Sequence, residues 1–223
     1  EYIWNDKHHI NTFMRRLFRK NHLARHSINT MIVGLWIWLQ GTGELKRKDL
    51  DRMAVALLLH DVGMCKVPPF LLSKAGPLKQ EEREKIVPHP IVGVRLMQKM
   101  DVAFEELLRA CFEHHERLDG TGYPHKIEGS SLTLPVRIIA VADVFTALTE
   151  DRPYRNGMPL AEAMRIIASM AELGYLDKGV VALLADNVLR VNKERIRAQR
   201  KAAANFVVMR RLCDEAARAA RQP

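Results

Sequence analysis

The chain has 223 residues, 48% of them hydrophobic, and a formal net charge of +9, which supplies apolar material for one sizeable core. Three cysteines, Cys65, Cys111 and Cys213, are an odd number without Cys-x-x-Cys spacing. Neither a disulfide framework nor a thiolate zinc site is indicated, and a reducing, cytoplasmic setting fits best.

The charge is concentrated at one end. From Arg190 onward ten basic residues stand against three acidic ones, a surplus of seven out of the nine. The body is therefore close to neutral, and a face for duplex nucleic acid is not expected; a basic helical tail is. The longest apolar run, Met31 to Leu39, is too short to cross a bilayer and reads as a buried helix.

Residues 1–20 mix aromatic and basic side chains, with Ile10, Phe13, Met14 and Leu17 at helical spacing. They read as an amphipathic lead-in helix at the end of an upstream linker. A helix follows from His22 to Leu39 and stops at Gly41-Thr42-Gly43, with His22 and His26 four apart on one face. A second helix spans about Arg47 to Asp61, with Leu50, Met53, Ala54, Leu57 and Leu58 on an apolar stripe. It ends in His60-Asp61-Val62-Gly63, where a carboxylate beside a fully apolar run needs a counter-charge or a metal. Pro68-Pro69 break the chain, Gln80-Glu81-Glu82 after Pro77 start another helix, and His89 between two prolines marks an interrupted helix that restarts.

A helix over Phe104 to Glu116 brings His114-His115-Glu116 to a glycine-rich turn, Leu118 to Pro124. Gly120 and Gly122 permit positive φ or close backbone approach there. The bland reading is a helix capped by a glycine loop with surface histidines; the density of ligand types argues for a metal. Pro135 suits the first turn of the next helix, whose Asp143 is an isolated acid on an apolar face and should ligate something. Arg152 and Arg155 follow at its exit. Their planar forks suit bidentate phosphate recognition, and a surface salt bridge is the alternative for each. Helices over about Leu160 to Leu173 and Asp177 to Val191 precede the basic tail, and no strand-length alternation occurs.

His26, His60, Asp61, His89, His114, His115 and Asp143 make seven nitrogen and oxygen ligands at or near helix ends. That is too many for one ion and suits two, with Asp61 able to bridge. Imidazole and carboxylate without thiolate favour iron, manganese, zinc or nickel over calcium.

These residues resemble the HD-GYP domains of the HD superfamily of metal-dependent phosphohydrolases. His26-Ser27, His60-Asp61-Val62-Gly63, His89 to Gly93, the complete His114 to Pro124 string and Val141 to Arg155 carry the resemblance, over roughly Asn21 to Leu184. It implies an all-α helical bundle over 21–184, with additional C-terminal helices and a basic tail over 185–223. It also implies a bacterial phosphodiesterase that opens cyclic di-GMP to pGpG, and in some members on to GMP, through a metal-bridging hydroxide. Two divalent transition ions, iron or manganese first and zinc or nickel next, would be held by His26, His60, Asp61 and Asp143 and by Asp61, His89, His114 and His115. Asp61 would share in catalysis as the bridging ligand, and Arg152 and Arg155 match family positions that contact substrate. Gly122 and Tyr123, with Pro124, would serve substrate binding or contact with GGDEF-type domains. Lead-in helices and helical tails of this kind often mediate dimers, so a homodimer is a further expectation.

Three positions depart from the family. The usual lysine of HDxGK is Met64, which neither donates a hydrogen bond nor carries charge. Lys66 is the nearest replacement, and the alternative reading is a module that binds the nucleotide or a partner with little turnover. Thr146 stands where Asp is common. A third metal in some members uses a Glu four residues before the first His, and that position is His22.

Overall fold

The computed structural model describes residues 21–42, 46–99, 104–152 and 155–219, with the side chains of 21, 22, 42, 199 and 201–219 excepted. The lead-in helix expected over 1–20, the third-metal position at His22 and the side chain of Cys213 lie outside what is described. The elements are α1 (Asn21–Thr42), α2 (Arg47–Leu59), a 3-10 turn (Val62–Lys66), α3 (Pro69–Leu72), α4 (Gln80–Arg83), α5 (His89–Lys99) and α6 (Glu105–Glu113). A second 3-10 turn (Gly129–Ser131), α7 (Leu134–Thr149), α8 (Leu160–Glu172) and α9 (Lys178–Ala219) complete them. The described residues contain no strand, only two isolated bridges, so the fold is all-α. No described helix is long and apolar enough to cross a membrane.

The bundle is built around α7. Val136, Ile138, Ile139, Ala140, Val141, Ala142, Phe145 and Thr146 are all buried, so this helix is enclosed on every side, as its near-continuous apolar sequence requires. α1 packs against α2, α7 and α9; α6 packs against α2, α5 and α7. Arg52 on α2 pairs with Glu106 on α6 at 2.9 Å, and the buried Cys111 thiol of α6 donates to the Leu59 carbonyl at the end of α2. The ion pair joins the amino-terminal halves of α2 and α6, and the thiol holds their carboxyl ends side by side.

Two helix ends differ from the sequence-based expectation. α2 stops at Leu59 and α6 at Glu113, because each terminal histidine turns its ring nitrogen onto a carbonyl of the preceding turn. α9 runs through residues 184 and 191 without a break. Between Gly179 and Pro223 there is no glycine or proline, and Ala, Arg and Lys dominate its distal half, all of them strong helix formers. Val191 and Arg195 on this helix are buried.

The start of α9 is locked to α7. Asp177 caps it by accepting from the Val180 amide, and its other oxygen takes the Arg137 guanidinium at 2.9 Å. Arg137 also donates to the carbonyls of Leu132 and Gly129. Burial opposes ionisation of Asp177, but the amide and the guanidinium outweigh it and hold the carboxyl below its usual range. We therefore expect Asp177→Ala to cost about 1–2 kcal/mol at neutral pH, the range for loss of a helix cap. Because the folded-state pKa is depressed, the contribution is complete above the unfolded value of about 3.9 and disappears as pH falls through the folded value. Denaturant titrations of both proteins at neutral and acid pH, with the gap closing at low pH, check this.

Candidate metal centre

Five elements deliver the site. His26 comes from the second turn of α1, His60 and Asp61 from the exit of α2, His89 from the first residue of α5, His114 and His115 from just beyond α6, and Asp143 from the middle of α7. His26, His60, His89, His114 and Asp143 are buried.

Close backbone contact places two of these elements. A methyl group on Gly63 would overlap the carbonyl oxygen of His89 and lie 2.7 Å from the Gly93 nitrogen. Only glycine lets the turn after Asp61 cross α5 this closely. The second tight contact lies in the glycine-rich loop, where a methyl on Gly122 would collide with the backbone of Glu116 and Arg117. The Glu116 carboxylate is buried and accepts from the amides of His125, Lys126 and Ile127. That network folds the loop back, and the ring of Tyr123 rests 4.7 Å from that of His115. Tyr123 precedes Pro124 through a cis peptide bond.

All seven expected ligands converge. One group contains Asp61, His89, His114 and His115, the other His26, His60 and Asp143, each with ligand atoms within 4.8 Å of one another. Asp61 Oδ1 lies 3.1 Å from His89 Nε2 and 3.7 Å from His114 Nε2, and Oδ2 lies 3.9 Å from His60 Nε2. Asp143 Oδ1 lies 2.8 Å from His26 Nε2 and 3.9 Å from His60 Nε2, and Oδ2 lies 3.9 Å from His115 Nδ1. His60 thus faces both carboxylates and joins the two groups.

The hydrogen bonds behind the rings determine what faces inward. Nδ1 of His60 bonds the Leu57 carbonyl at 2.7 Å, that of His89 the Ile86 carbonyl at 2.8 Å, and that of His114 the Ala110 carbonyl at 3.0 Å. A ring whose Nδ1–H donates backwards presents the Nε2 lone pair forwards, the arrangement a metal ligand needs. His60 Nε2 and Asp61 Oδ1 are buried without a hydrogen-bond partner, which is costly unless a cation meets them. Nε2 of His89 and Nε2 of His114 face each other at 3.2 Å, two acceptors aimed at a common point. The residues present therefore fit a divalent cation.

The electrostatics agree. Burial pushes the imidazole of His60 down to about 4. Burial, reinforced by His114, also pushes His115 well below its usual value. Both rings are neutral and ligand-ready at neutral pH. Burial disfavours the ionised carboxyl of Asp61, but the imidazoles of His114 and His89 beside it, with His60, override that and hold it well below the usual range. Asp143 is held low against burial in the same way, chiefly by His26. Burial opposes the charge on His26, yet its bonds to Asp143 and Glu150 win and raise it to about 10. A position that retains a proton so firmly is one of negative potential, which suits a cation.

Met64 is half-buried and Lys66 exposed on the turn that leaves Asp61. Arg152 and Arg155 pair through their backbones. The Arg155 guanidinium donates to the Ala147 and Leu148 carbonyls at 2.5 and 3.3 Å, so it caps α7 and reaches a substrate only by giving up those bonds. Sequence reasoning missed Glu150, a buried carboxylate against His26 Nδ1 at 3.2 Å, and Asn29, which donates to it. The available signal was polar residues at helical spacing on two apolar helices, His26, Asn29 and Thr30 facing Asp143, Thr146 and Glu150. Thr30 and Thr146 do meet, at 2.8 Å.

Comparison with known proteins places this arrangement. The HD domain family model matches residues 20–180. The chain is 40% identical over 130 residues to 3'3'-cGAMP-specific phosphodiesterase 1 of Vibrio cholerae, covering 58% of this chain and 30% of that protein. It is 37% identical over 143 residues to a cyclic di-GMP phosphodiesterase of Pseudomonas aeruginosa, covering 64% and 34%. The chain thus spans about a third of the length of these relatives. Among solved structures, the HDG"Y"P protein Bd1817 of Bdellovibrio bacteriovorus superposes with a TM-score of 0.62 at 20% identity, over 74% of this chain and 52% of that one. The HD domain of a Listeria monocytogenes phosphodiesterase, solved with cyclic-di-AMP, gives 0.59 at 15%, over 81% and 94%. Both share the fold. HD-domain phosphohydrolases are metal-dependent, and the clustered histidines and aspartates are suited to that chemistry. With an all-α bundle that converges these ligands and a model match over most of its length, the chain belongs to the HD domain family, and His114 to Pro124 give it the HD-GYP signature.

Proposed function

We propose that the chain is a two-metal phosphodiesterase that hydrolyses cyclic di-GMP to pGpG and/or GMP. The observation that carries this reading is the convergence of seven nitrogen and oxygen ligand atoms into two adjoining groups, with orphaned lone pairs aimed inward. The names of the relatives support the substrate class.

In this reading His26, His60, Asp61 and Asp143 hold one ion and Asp61, His89, His114 and His115 the other, iron or manganese being the best match to the ligand set. Such ions neutralise phosphate charge and lower the pKa of water, supplying a nucleophile at neutral pH. The chain's own residues do the rest. Asp61 and Asp143 stay ionised and His60 and His115 stay neutral, while His26 and His89, both raised by the carboxylates they face, would lose a proton on binding an ion. Tyr123 shields one face of His115, and burial raises its phenol above the usual value, so it remains a hydrogen-bond donor for a phosphate oxygen. Gly122 holds that loop in place. Arg152 at the exit of α7 and Lys66 on the turn beyond Asp61 supply positive charge at the rim.

The test is incubation of metal-replete protein with cyclic di-GMP, and separately with 3'3'-cGAMP, followed by separation of products. Appearance of pGpG or GMP is the expected result, and recovery of both nucleotides intact overturns the proposal.

One observation favours a second reading, a nucleotide-binding module with little turnover. Met64 lies on the turn beside Asp61 and can neither donate nor neutralise charge. We expect Met64→Lys to raise kcat on the order of 100-fold, the scale of one well-placed electrostatic contact in a transition state. A single-turnover assay of both proteins reads it. An unchanged rate in a turning-over enzyme assigns that charge to another group.

A further inference from the structure

Each buried histidine of the centre has its Nδ1 held from behind, and three of the four, His60, His89 and His114, are held by backbone carbonyls. His26 is different. Its Nδ1 meets the carboxylate of Glu150 at 3.2 Å while its Nε2 faces Asp143 at 2.8 Å. Glu150 is the residue immediately after α7, is 3% exposed, and has its other oxygen fixed by the Asn29 amide one turn along α1 from His26. Neither Glu150 nor Asn29 belongs to the expected ligand set.

We infer that Glu150 is a positioning residue for the metal centre, fixing the tautomer and ring orientation of His26 so that the His26, His60 and Asp143 group can hold its ion. The inference rests on the metal-centre reading above. The physical basis is that neutral imidazole carries its proton on either nitrogen, and only a partner behind the ring decides which one donates. Backbone carbonyls do this for His60, His89 and His114 wherever their helical turns exist. For His26 it depends on one side chain, so the two halves of the centre differ in what holds them together. An orienting carboxylate behind a ligating imidazole also raises its basicity, and losing such a partner costs about 10–100-fold in metal affinity.

The experiment is calorimetric titration of the chelator-stripped full chain with manganese(II), in wild type, Glu150→Ala and Glu150→Gln, with thermal melts of each. The expected result is two sites in wild type. Glu150→Ala should weaken one of them about 10–100-fold, leave the other within about twofold, and be partly rescued by Glu150→Gln, whose amide oxygen still accepts from Nδ1–H. Two overturning results are distinct: Glu150→Ala retaining both affinities, or both variants losing both sites equally with a lowered melting temperature. A wild type that takes up no manganese overturns the metal-centre reading itself, and this inference with it.

Discussion

Asp61→Ala is expected to abolish hydrolysis, by about 10³-fold or more, and to reduce metal content at both halves of the centre together. Asp61, like Asp143, faces three histidines, here His89, His114 and His60, drawn from three different elements. One of its oxygens is buried without a hydrogen-bond partner. Removing it leaves the Nε2 atoms of His89 and His114 opposed at 3.2 Å with no negative charge between them. A loss of 10³ corresponds to about 4 kcal/mol of transition-state stabilisation, modest for a carboxylate proposed to serve both ions. Asp61→Asn separates charge from shape: it keeps the size of the side chain and one acceptor, and should still lose the metal. Metal analysis and product assay on the same samples measure both, and retention of metal by Asp61→Ala contradicts the assignment.

Gly63→Ala carries the second large effect, from a residue that contributes no ligand. Its added methyl meets backbone, the His89 carbonyl and the Gly93 nitrogen, neither of which can rotate away as a side-chain end can. The turn after Asp61 must then move off α5, opening the 3.1 Å contact between Asp61 and His89. Forcing backbone apart in a packed interior costs about 3 kcal/mol, or roughly 6–12 °C of melting temperature for a domain of this size. The group containing His89 should lose affinity more than the group containing His26. A thermal melt together with a metal titration reads both, and an unshifted melting temperature with full occupancy contradicts this account of how the two motifs are joined.

Five of the seven candidate ligands were legible because each is an anomaly in its own stretch of sequence, whereas His26 and His89 were unremarkable alone and stood out only beside the others. His60 and Asp61 follow Ala56-Leu57-Leu58-Leu59, Asp143 interrupts an apolar helix, and His114-His115 stand before a glycine turn. Polar groups in apolar runs require partners, and the structure brings these together. Glu150 was not legible in the same way, since it sits at a helix exit beside Asp151 and Arg152, where a surface acid is unremarkable. Only the packing of α1 on α7 turns it inward. Arg155 shows the converse: its type suits phosphate, but the guanidinium donates to the Ala147 and Leu148 carbonyls at the end of α7, sharing Leu148 with the Met158 amide. The length of α9 was underread because the apolar periodicity fades after Val191, while helix propensity continues without a breaker to Pro223. Periodicity reports what a helix packs against and does not mark where it ends.

The central claim is that the two adjoining groups each hold one divalent transition ion. Elemental analysis of the protein purified without chelator tests it most directly, with Asp61→Ala purified in parallel as the control. The account predicts about two equivalents of iron, manganese or a neighbouring transition metal per chain, falling sharply in the variant. Wild-type protein that carries no transition metal, and takes none up when manganese(II) is supplied after stripping, contradicts it.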